Sequence, residues 1–468
     1  MKRREFISLL SATAAATAAL NLKPHQAAAQ QTLPNPAAWL RSGPMLGRSE
    51  MTETEVWLQT NKPCRAAVRF WKQGQPATAR LSEALKTSEE TDFIARFTLS
   101  KLEFGTRYDY EIYLDGLRVP FPYDASFQTQ KMWRWRTQET EEIPGFRLAV
   151  GSCAYINDKD YDRPGTPYGG NYEIFQTIAK QKPDAMLWLG DNVYYREADW
   201  LSETAMRYRY AHTRSTPEMQ ELLASTHHYA IWDDHDFGPN DSDRSYRITE
   251  TSLRIFKDYW ANASYGTADA PGVFGRFEWN DVEFFLLDDR YYRSPNRTPN
   301  NPKKQMFGDK QMQWLKDALV SSRAPFKIIA SGNQMMNPLT PFEAFGSFPE
   351  EQKGLINFIR EARVPGVLFL SGDRHFSELI KRVEPNLYPL YDFTSSALTS
   401  GAANPAKEES NNPARVPGTL VTGVRNFGII EASGTAKNRK LTLKTIDSTG
   451  KEWWRHEINE NELTFPKS

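Results

Sequence analysis

From Phe146 onward, short apolar runs that read as strands alternate with amphipathic helical segments, and several of those runs end in acidic, amide or histidine side chains. Runs of this length are too short for buried helices, and their alternation with helical pattern marks a layered α/β domain. The strand candidates are 146–150, 185–189, 229–232, 282–287, 327–330 and 367–370. Helical pattern lies between them at 172–180, 218–223, 250–260, 309–319 and 350–361. Four more strands are predicted at 391–395, 427–432, 440–445 and 453–458, forming a second sheet packed on the first. The polar stretch 404–415 reads as a mobile loop.

The chemistry gathers where the strands end. The first ends in Gly151-Ser152-Cys153, the second in Gly190-Asp191-Asn192-Val193-Tyr194, and the third in Asp233-Asp234-His235-Asp236, with Asn240, Asp241 and Asp243 behind. Later strands end in Asp288-Asp289-Arg290, Ser331-Gly332-Asn333-Gln334 and Gly372-Asp373-Arg374-His375. Open α/β sheets place their sites at the carboxyl ends of strands. One acidic strand end is an ordinary turn, Asp-Asp-His-Asp alone is a helix cap, and a lone Cys153 is a buried apolar residue. Several acidic ends far apart in sequence need a common cause. A multinuclear metal site supplies one by offsetting their mutual repulsion. Only His235 and His375 fall inside the clusters, which disfavours a histidine-rich dizinc site. The pair His227-His228 reads as a strand start instead of a ligand pair, and Cys64 as a buried structural thiol.

The region before Phe146 has a different texture. Period-two runs at 55–60, 66–71, 93–99 and 108–114, with no convincing helix, predict a small β-sandwich over residues 51–130. Residues 30–50, with Pro34, Pro36, Gly43, Pro44 and Gly47, read as a lead-in loop, and residues 146–460 as the catalytic domain. Residues 1–29 read as a signal peptide: Lys2, Arg3 and Arg4 precede a mildly apolar stretch, and Ala27-Ala28-Ala29 offers a cleavage site. The run Arg3-Arg4-Glu5-Phe6-Ile7 resembles a twin-arginine signal, with Lys2 where that pattern prefers Ser or Thr. The expected location is the bacterial periplasm or exterior, reached through the twin-arginine export machinery. Without residues 1–29 the chain keeps 54 basic and 57 acidic side chains. That near balance argues against a stable nucleic-acid complex. A mean hydropathy of −0.63 excludes a multi-span membrane protein, and two cysteines cannot make a disulfide scaffold. The 13 tryptophans suit large cores and aromatic-walled clefts.

In order and spacing, Gly151-Ser152-Cys153, Gly190-Asp191-Asn192-Val193-Tyr194, Trp232-Asp233-Asp234-His235-Asp236 and Ser371-Gly372-Asp373-Arg374-His375 resemble the PhoD-like alkaline phosphatases, a branch of the calcineurin-like metallophosphoesterases. The wider superfamily has Asp-x-His, Gly-Asn-His and Gly-His-x-His in three of these motifs. Cys153, Asp234 and Asp373 depart from those patterns as the PhoD-like branch does. The resemblance implies an export signal and a fibronectin III-like sandwich, followed by a metallophosphoesterase β-sandwich core flanked by helices. It implies Fe³⁺ with Ca²⁺, other divalent metals being compatible with the spacing. The implied ligands are Cys153, Asp191, Tyr194, Asp234, Asp373 and His375, with Asn192, Asp236, Asn333 and Gln334 as weaker candidates. Asp191 would bridge two ions, and Tyr194 stands where purple acid phosphatases place an iron-binding tyrosinate. His235 is the candidate acid for the leaving group. Arg374 is either a phosphate clamp or a structural partner of Asp233 or Asp236. The implied activity is hydrolysis of a small-molecule, lipid or nucleotide phosphate ester through a metal-bound hydroxide. The alternatives are phosphodiesterase or phospholipase D-like activity within the class and, outside it, a calcium-stabilised binding protein without catalysis.

Overall fold

A computed structural model describes residues 35–339 and 342–465. The signal peptide expected at 1–29 therefore lies outside the described residues. Two large sheets carry the chain from Phe146 onward. In the first, the strands Phe146–Gly151, Ala185–Leu189 and His227–Ile231 run parallel, flanked on one side by the antiparallel series Asn426–Ser433, Lys440–Asp447 and Glu452–Asn459. In the second, Val282–Leu286, Phe326–Ala330, Val367–Ser371 and Leu390–Thr394 run parallel, with Gly275–Trp279 and Glu378–Arg382 as antiparallel edges.

Period two sorts the side chains of the first sheet. Leu148, Val150, Leu187, Leu189, Tyr229 and Ile231 enter the core that also holds Phe284, Ile328, Phe369 and Phe393 of the second sheet. Their neighbours Ala149, Met186, Trp188, Ala230 and Trp232 face the other way, into a core with Ile174, Tyr210, Leu222 and Phe256 from the helices Ile174–Lys180, Glu203–Arg214, Gln220–Ser225 and Thr249–Tyr259. The second sheet's parallel strands are buried throughout, and Leu315 and Leu319 of the helix Asp309–Ser321, with Leu355 and Ile359 of Pro349–Glu361, join their core. The layered α/β architecture is as the periodicity predicts.

Three expectations need correction. The last four strand segments make no sheet of their own: Leu390–Thr394 pairs with Val367–Ser371 and joins the second sheet, while Asn426–Ser433 pairs with Phe146–Gly151 and carries Lys440–Asp447 and Glu452–Asn459 into the first. The lead-in loop is not a loop over its second half: Leu40–Ser49 is a strand, mostly buried. It pairs antiparallel with Thr54–Thr60 and meets His227–Ile231 in parallel at Leu46. Its register shifts fall around Gly43, Pro44 and Gly47, the residues that make the sequence look like a turn. A Cβ on Gly47 would approach that of Ala261 to 2.4 Å, so glycine is needed for this contact. Nor are the sandwich and the later domain separate. Thr54–Thr60 and Ile94–Leu99 complete the same nine-stranded sheet that carries Phe146–Gly151. Opposite them lie Arg65–Lys72 and Arg107–Leu114 of a smaller sheet, over a core of Val56, Leu58, Val68, Phe70 and Ile112 that includes the buried Cys64.

His227 and His228 open their strand, as expected, and each is held neutral. Trp188 Nε1 donates to His228 Nδ1 at 2.9 Å, so His228 Nε2 carries the proton that faces Leu222 O at 3.1 Å. A second proton on Nδ1 would point at the indole N–H. Burial lowers the pKa of His228 to about 3 and that of His227 to about 4. The unfolded chain therefore binds more protons than the fold below about pH 6.5, and stability falls as pH drops through that range, by about 1.4 kcal/mol per pH unit per histidine. Thermal unfolding of His228→Gln should show lower stability than the parent at pH 8 but a shallower decline between pH 6.5 and pH 4. Parallel declines would exclude a buried neutral His228.

Candidate metal centre

The parallel strands of both sheets deliver their carboxyl ends to one place. Immediately beyond them the backbone turns sharply: Cys153, Asp191, Asp373 and His375 all have left-handed φ, at 62°, 52°, 67° and 59°. Each such residue costs about 1–2 kcal/mol relative to ordinary backbone. Packing between the loops holds them. Ala154 N donates to Asp191 O at 2.8 Å, Gly372 N to Gly332 O at 2.8 Å, and His375 N to Ser396 Oγ at 2.9 Å. Gly190, at φ 89°, abuts Asp233; a Cβ there would lie 2.6 Å from the Asp233 Cβ.

Three groups of donor atoms result, each with its atoms within 4.8 Å of one another: Cys153, Asp191 and His375; Asp191, Asp234 and His235; Asp234, Asp241 and Glu343. Asp191 belongs to the first two and Asp234 to the last two, the geometry of bridging carboxylates. Tyr194 joins the first group, its hydroxyl donating to Asp191 Oδ2 at 2.9 Å, and Cys153 Sγ lies 3.6 Å from that oxygen. His375 Nδ1 sits 2.7 Å from Gly401 O, which fixes the proton there and leaves Nε2 with its lone pair for an ion. Among the described residues Asp373 completes no triad of donors, but its charge acts on Cys153 and Asp191.

The electrostatics fit bound cations. Burial, then repulsion from Cys153, Asp234, Asp236 and Asp373, raises the Asp191 carboxyl well above its ordinary range. Burial and Asp373 push the Cys153 thiol up to about 11, and burial with Asp234 raises Asp373 to about 6. Burial and the adjacent Asp191 and Cys153 likewise raise Tyr194. Burial also opposes ionisation of Asp234, but His235, Arg290 and the Asp241 amide outweigh it and hold that carboxyl below its ordinary range. A cation among these groups reverses the repulsion and deprotonates thiol and phenol. Nearby, the buried side-chain oxygens Asn192 Oδ1 and Asn333 Oδ1 have no hydrogen-bond partner among the described residues, which suits both as further oxygen donors. Thiol, phenol, carboxyl and imidazole on one side, and carboxylate and amide oxygens on the other, together make a donor set that fits bound metal ions.

Other candidates have different employment. Asp236 closes a capping box, accepting from Asn192 N and Asp233 N, both at 3.0 Å. Gln334 is fully engaged with Glu378, Thr394, Asn337 and Arg374. Arg374 pairs with neither Asp233 nor Asp236. Its guanidinium grips Glu409 at 2.9 and 2.6 Å, so it is not a free phosphate clamp. Glu409 comes from the stretch expected to be a mobile loop; that stretch is instead docked, with Glu409 wholly buried and Asn412 6% exposed. The partner of Asp233 is Arg290, which also donates to Glu343 at 2.7 Å. The sequence shows Arg290 at a strand end but not its role. Glu343, Glu409, Ser396 and Gly401 carry no sequence signal, because each is isolated in a loop and acquires its role only through tertiary contact.

The PhoD-like phosphatase family matches residues 148–443, and a domain of unknown function (DUF7800) matches residues 37–132. Alkaline phosphatase D of Bacillus subtilis (strain 168) is 23% identical over 332 residues, which are 61% of this chain and 55% of that protein, so the chain aligns with about half of the relative's length. Among solved structures, PhoD superposes with a TM-score of 0.69 at 17% identity, over 91% of this chain and 93% of PhoD. A purple acid phosphatase from yellow lupin (Lupinus luteus) superposes with a TM-score of 0.65 at 12% identity, over 93% of this chain and 78% of the lupin protein. Both show a shared metallophosphoesterase-like fold. The family match spans most of the chain, including every strand end that feeds the metal centre: this protein is a member of the PhoD-like phosphatase family.

Proposed function

We propose that this protein is an exported, metal-dependent hydrolase of phosphate esters. The observation that carries the reading is the sharing of Asp191 between the Cys153–His375 group and the Asp234–His235 group. Cys153, Asp191, Tyr194 and His375 would hold ferric iron. Asp191, Asp234 and the oxygen-rich loop at Asp241 would hold calcium or another hard divalent ion, with Asp373 adding negative charge. Bound there, such ions act as Lewis acids, neutralise phosphoryl charge and lower the pKa of water enough to make a nucleophile.

The chain's own groups do the rest. Left-handed turns at Cys153, Asp191, Asp373 and His375 aim their side chains inward from four separate loop positions. Gly401 O fixes the His375 tautomer and Ser396 Oγ–H faces Cys153 Sγ at 3.1 Å, so neither donor needs to reorganise. His235 stacks on Tyr194 at 4.2 Å between ring centroids and stands beside both carboxylates. It donates a proton to the departing alkoxide oxygen. Burial lowers its pKa below the ordinary histidine range, and the adjacent Asp234 opposes that shift.

Natively exported protein should be coloured if thiolate and phenolate donate to ferric iron, since calcium and zinc give no such band. Tyr194→Phe and Cys153→Ser should each shift or abolish the absorption, and a change at Cys64 should not. An active, metal-replete, colourless preparation would overturn the iron assignment. His235→Ala should lower turnover about 10²–10⁴-fold, with a smaller loss on nitrophenyl esters than on alkyl esters. Equal losses on both, accompanied by reduced metal content in elemental analysis, would make His235 a ligand instead of the acid. Export through the folded-protein route is supported by Arg3-Arg4. Changing both to Lys should leave unprocessed precursor in the cytoplasm, and a normal periplasmic yield would overturn that route.

A further inference from the structure

Tyr168 stands beside the metal centre on a support that fixes it. Its hydroxyl is 3.1 Å from His375 Nδ1, and its ring packs edge-on against Tyr155 at 4.9 Å and Tyr194 at 6.5 Å. Even so, 45% of the residue is exposed. Gly401 makes room for it, because a Cβ there would come within 2.8 Å of the ring. Arg425 staples the two loops involved: its Nε donates to Thr399 O and Ser400 O at 2.9 Å, and its Nη2 to Tyr168 O at 3.1 Å. Gly170 N adds a bond to Thr399 O at 2.9 Å. This much support for a half-exposed ring exceeds what core packing requires.

A second exposed ring precedes Glu343 of the third donor group. Phe342 is 62% exposed and lies 5.4 Å from the Arg374 guanidinium, which Glu409 locks in place. Tyr168 thus touches His375 and Phe342 touches Arg374, one aromatic face at each neighbour within Asp373-Arg374-His375. We infer that Tyr168 and Phe342 are the specificity walls for the leaving group, and that the group they select carries a flat aromatic ring, as in a nucleotide base or an aryl alcohol. The inference rests on the phosphoesterase reading and names the substrate class within it. Fixed rings bind a second ring by offset or edge-on stacking at little entropic cost. A short alkyl or sugar leaving group leaves both faces in water. An acyl chain would need a continuous apolar groove, whereas Arg374, His375, Ser400 and Arg425 interrupt the surroundings of these rings with polar and charged groups.

The test compares pairs of esters with matched reacting atoms on metal-replete enzyme. One pair is adenosine monophosphate, esterified at the primary hydroxyl, against ribose phosphate esterified at the same hydroxyl. The other is phenethyl phosphate against cyclohexylethyl phosphate, which keeps the apolar bulk and loses the aromatic face. In each pair kcat/KM should favour the aromatic ester by about 3- to 10-fold. Tyr168→Leu and Phe342→Leu should each bring both ratios toward one, whatever common change they make to the rates. Tyr168→Phe keeps the ring, loses the hydroxyl near His375, and should retain the ratios. If it loses them as Leu does, the hydroxyl acts by positioning His375 and the wall assignment falls. Wild-type ratios near one, with ribose phosphate hydrolysed, overturn the inference and leave the phosphoesterase reading intact. Preference for adenosine monophosphate without preference for phenethyl phosphate also overturns it, since hydrogen bonds to base edges would then explain selectivity. No hydrolysis of any of these four monoesters, nor of bis(nitrophenyl) phosphate as a diester, overturns both readings.

Discussion

The structure is organised around the cost of burying several acidic groups together. Asp191, Asp233, Asp234, Asp289 and Asp373 sit at neighbouring strand ends, and burial alone opposes the ionisation of each. Two kinds of compensation are built into the protein. Behind the centre, Arg290 binds Asp233 and Glu343, and Arg293 adds a second contact to Glu343 at 3.0 Å. Asp289 accepts from Ser331 Oγ and Asn333 N. In front, Asp191, Cys153 and Tyr194 have no cationic side chain of comparable reach among the described residues, and their acid forms are favoured in the absence of an ion. The division is functional. Charges satisfied by arginine anchor the loops, and charges left for an ion make the site.

This arrangement needs a scaffold that holds loops from two sheets in register. Part of that scaffold comes from the N-terminal region, because the sheet bearing Cys153 and Asp191 continues through Leu40–Ser49 into Thr54–Thr60 and Ile94–Leu99. The seam is reinforced by an unusual buried cation. Arg214 lies 4.1 Å from the Trp260 ring and 5.6 Å from that of Trp57, and burial lowers its pKa to about 10. Aromatic faces stand in for the carboxylate such a group would ordinarily require. The sandwich is therefore part of the rigid body that positions the metal centre.

Sequence pattern made the central strands legible because each is a short, wholly buried run bounded by Gly, Asp or Ser, and it located the helices that cover them. It failed where tertiary contact overrides local pattern. Gly43, Pro44 and Gly47 disguise a strand whose bulges they permit. The helix Glu203–Arg214 went unrecognised because its inward face carries Arg209 and Arg214. Arg209 is wholly buried only because Asp199 and Asp158 receive it at 2.8 and 3.0 Å. The residues that the structure brings together, Cys153, Asp191, Asp234, His235 and His375, stand in clusters at strand ends in the sequence, whereas Tyr194 enters only through the resemblance. The employment of Arg374 was not legible. Residue type says that a guanidinium suits phosphate, but only the fold reveals Glu409 occupying it first.

That pairing shows how the site separates binding from support. A free arginine beside Asp373 would be drawn toward the carboxylates and compete with a cation for them. With Glu409 and Gln334 taking its donors, Arg374 contributes positive charge at fixed distance and a flat surface between Phe342 and Phe376. Breaking a buried pair of this kind costs about 3–5 kcal/mol, because one charge is left without a partner. The loop bearing Glu409 is thereby tied to the loop bearing Asp373 and His375. The same logic governs Gly401 O, which holds His375 through Nδ1 and leaves Nε2 open, and Ser396 Oγ–H, whose bond to Cys153 Sγ fixes the position of the sulfur. The strained turns at the strand ends persist because these partners over-determine them. What the structure leaves free is the inward-facing set of sulfur, nitrogen and oxygen atoms on which a metal-dependent reaction depends.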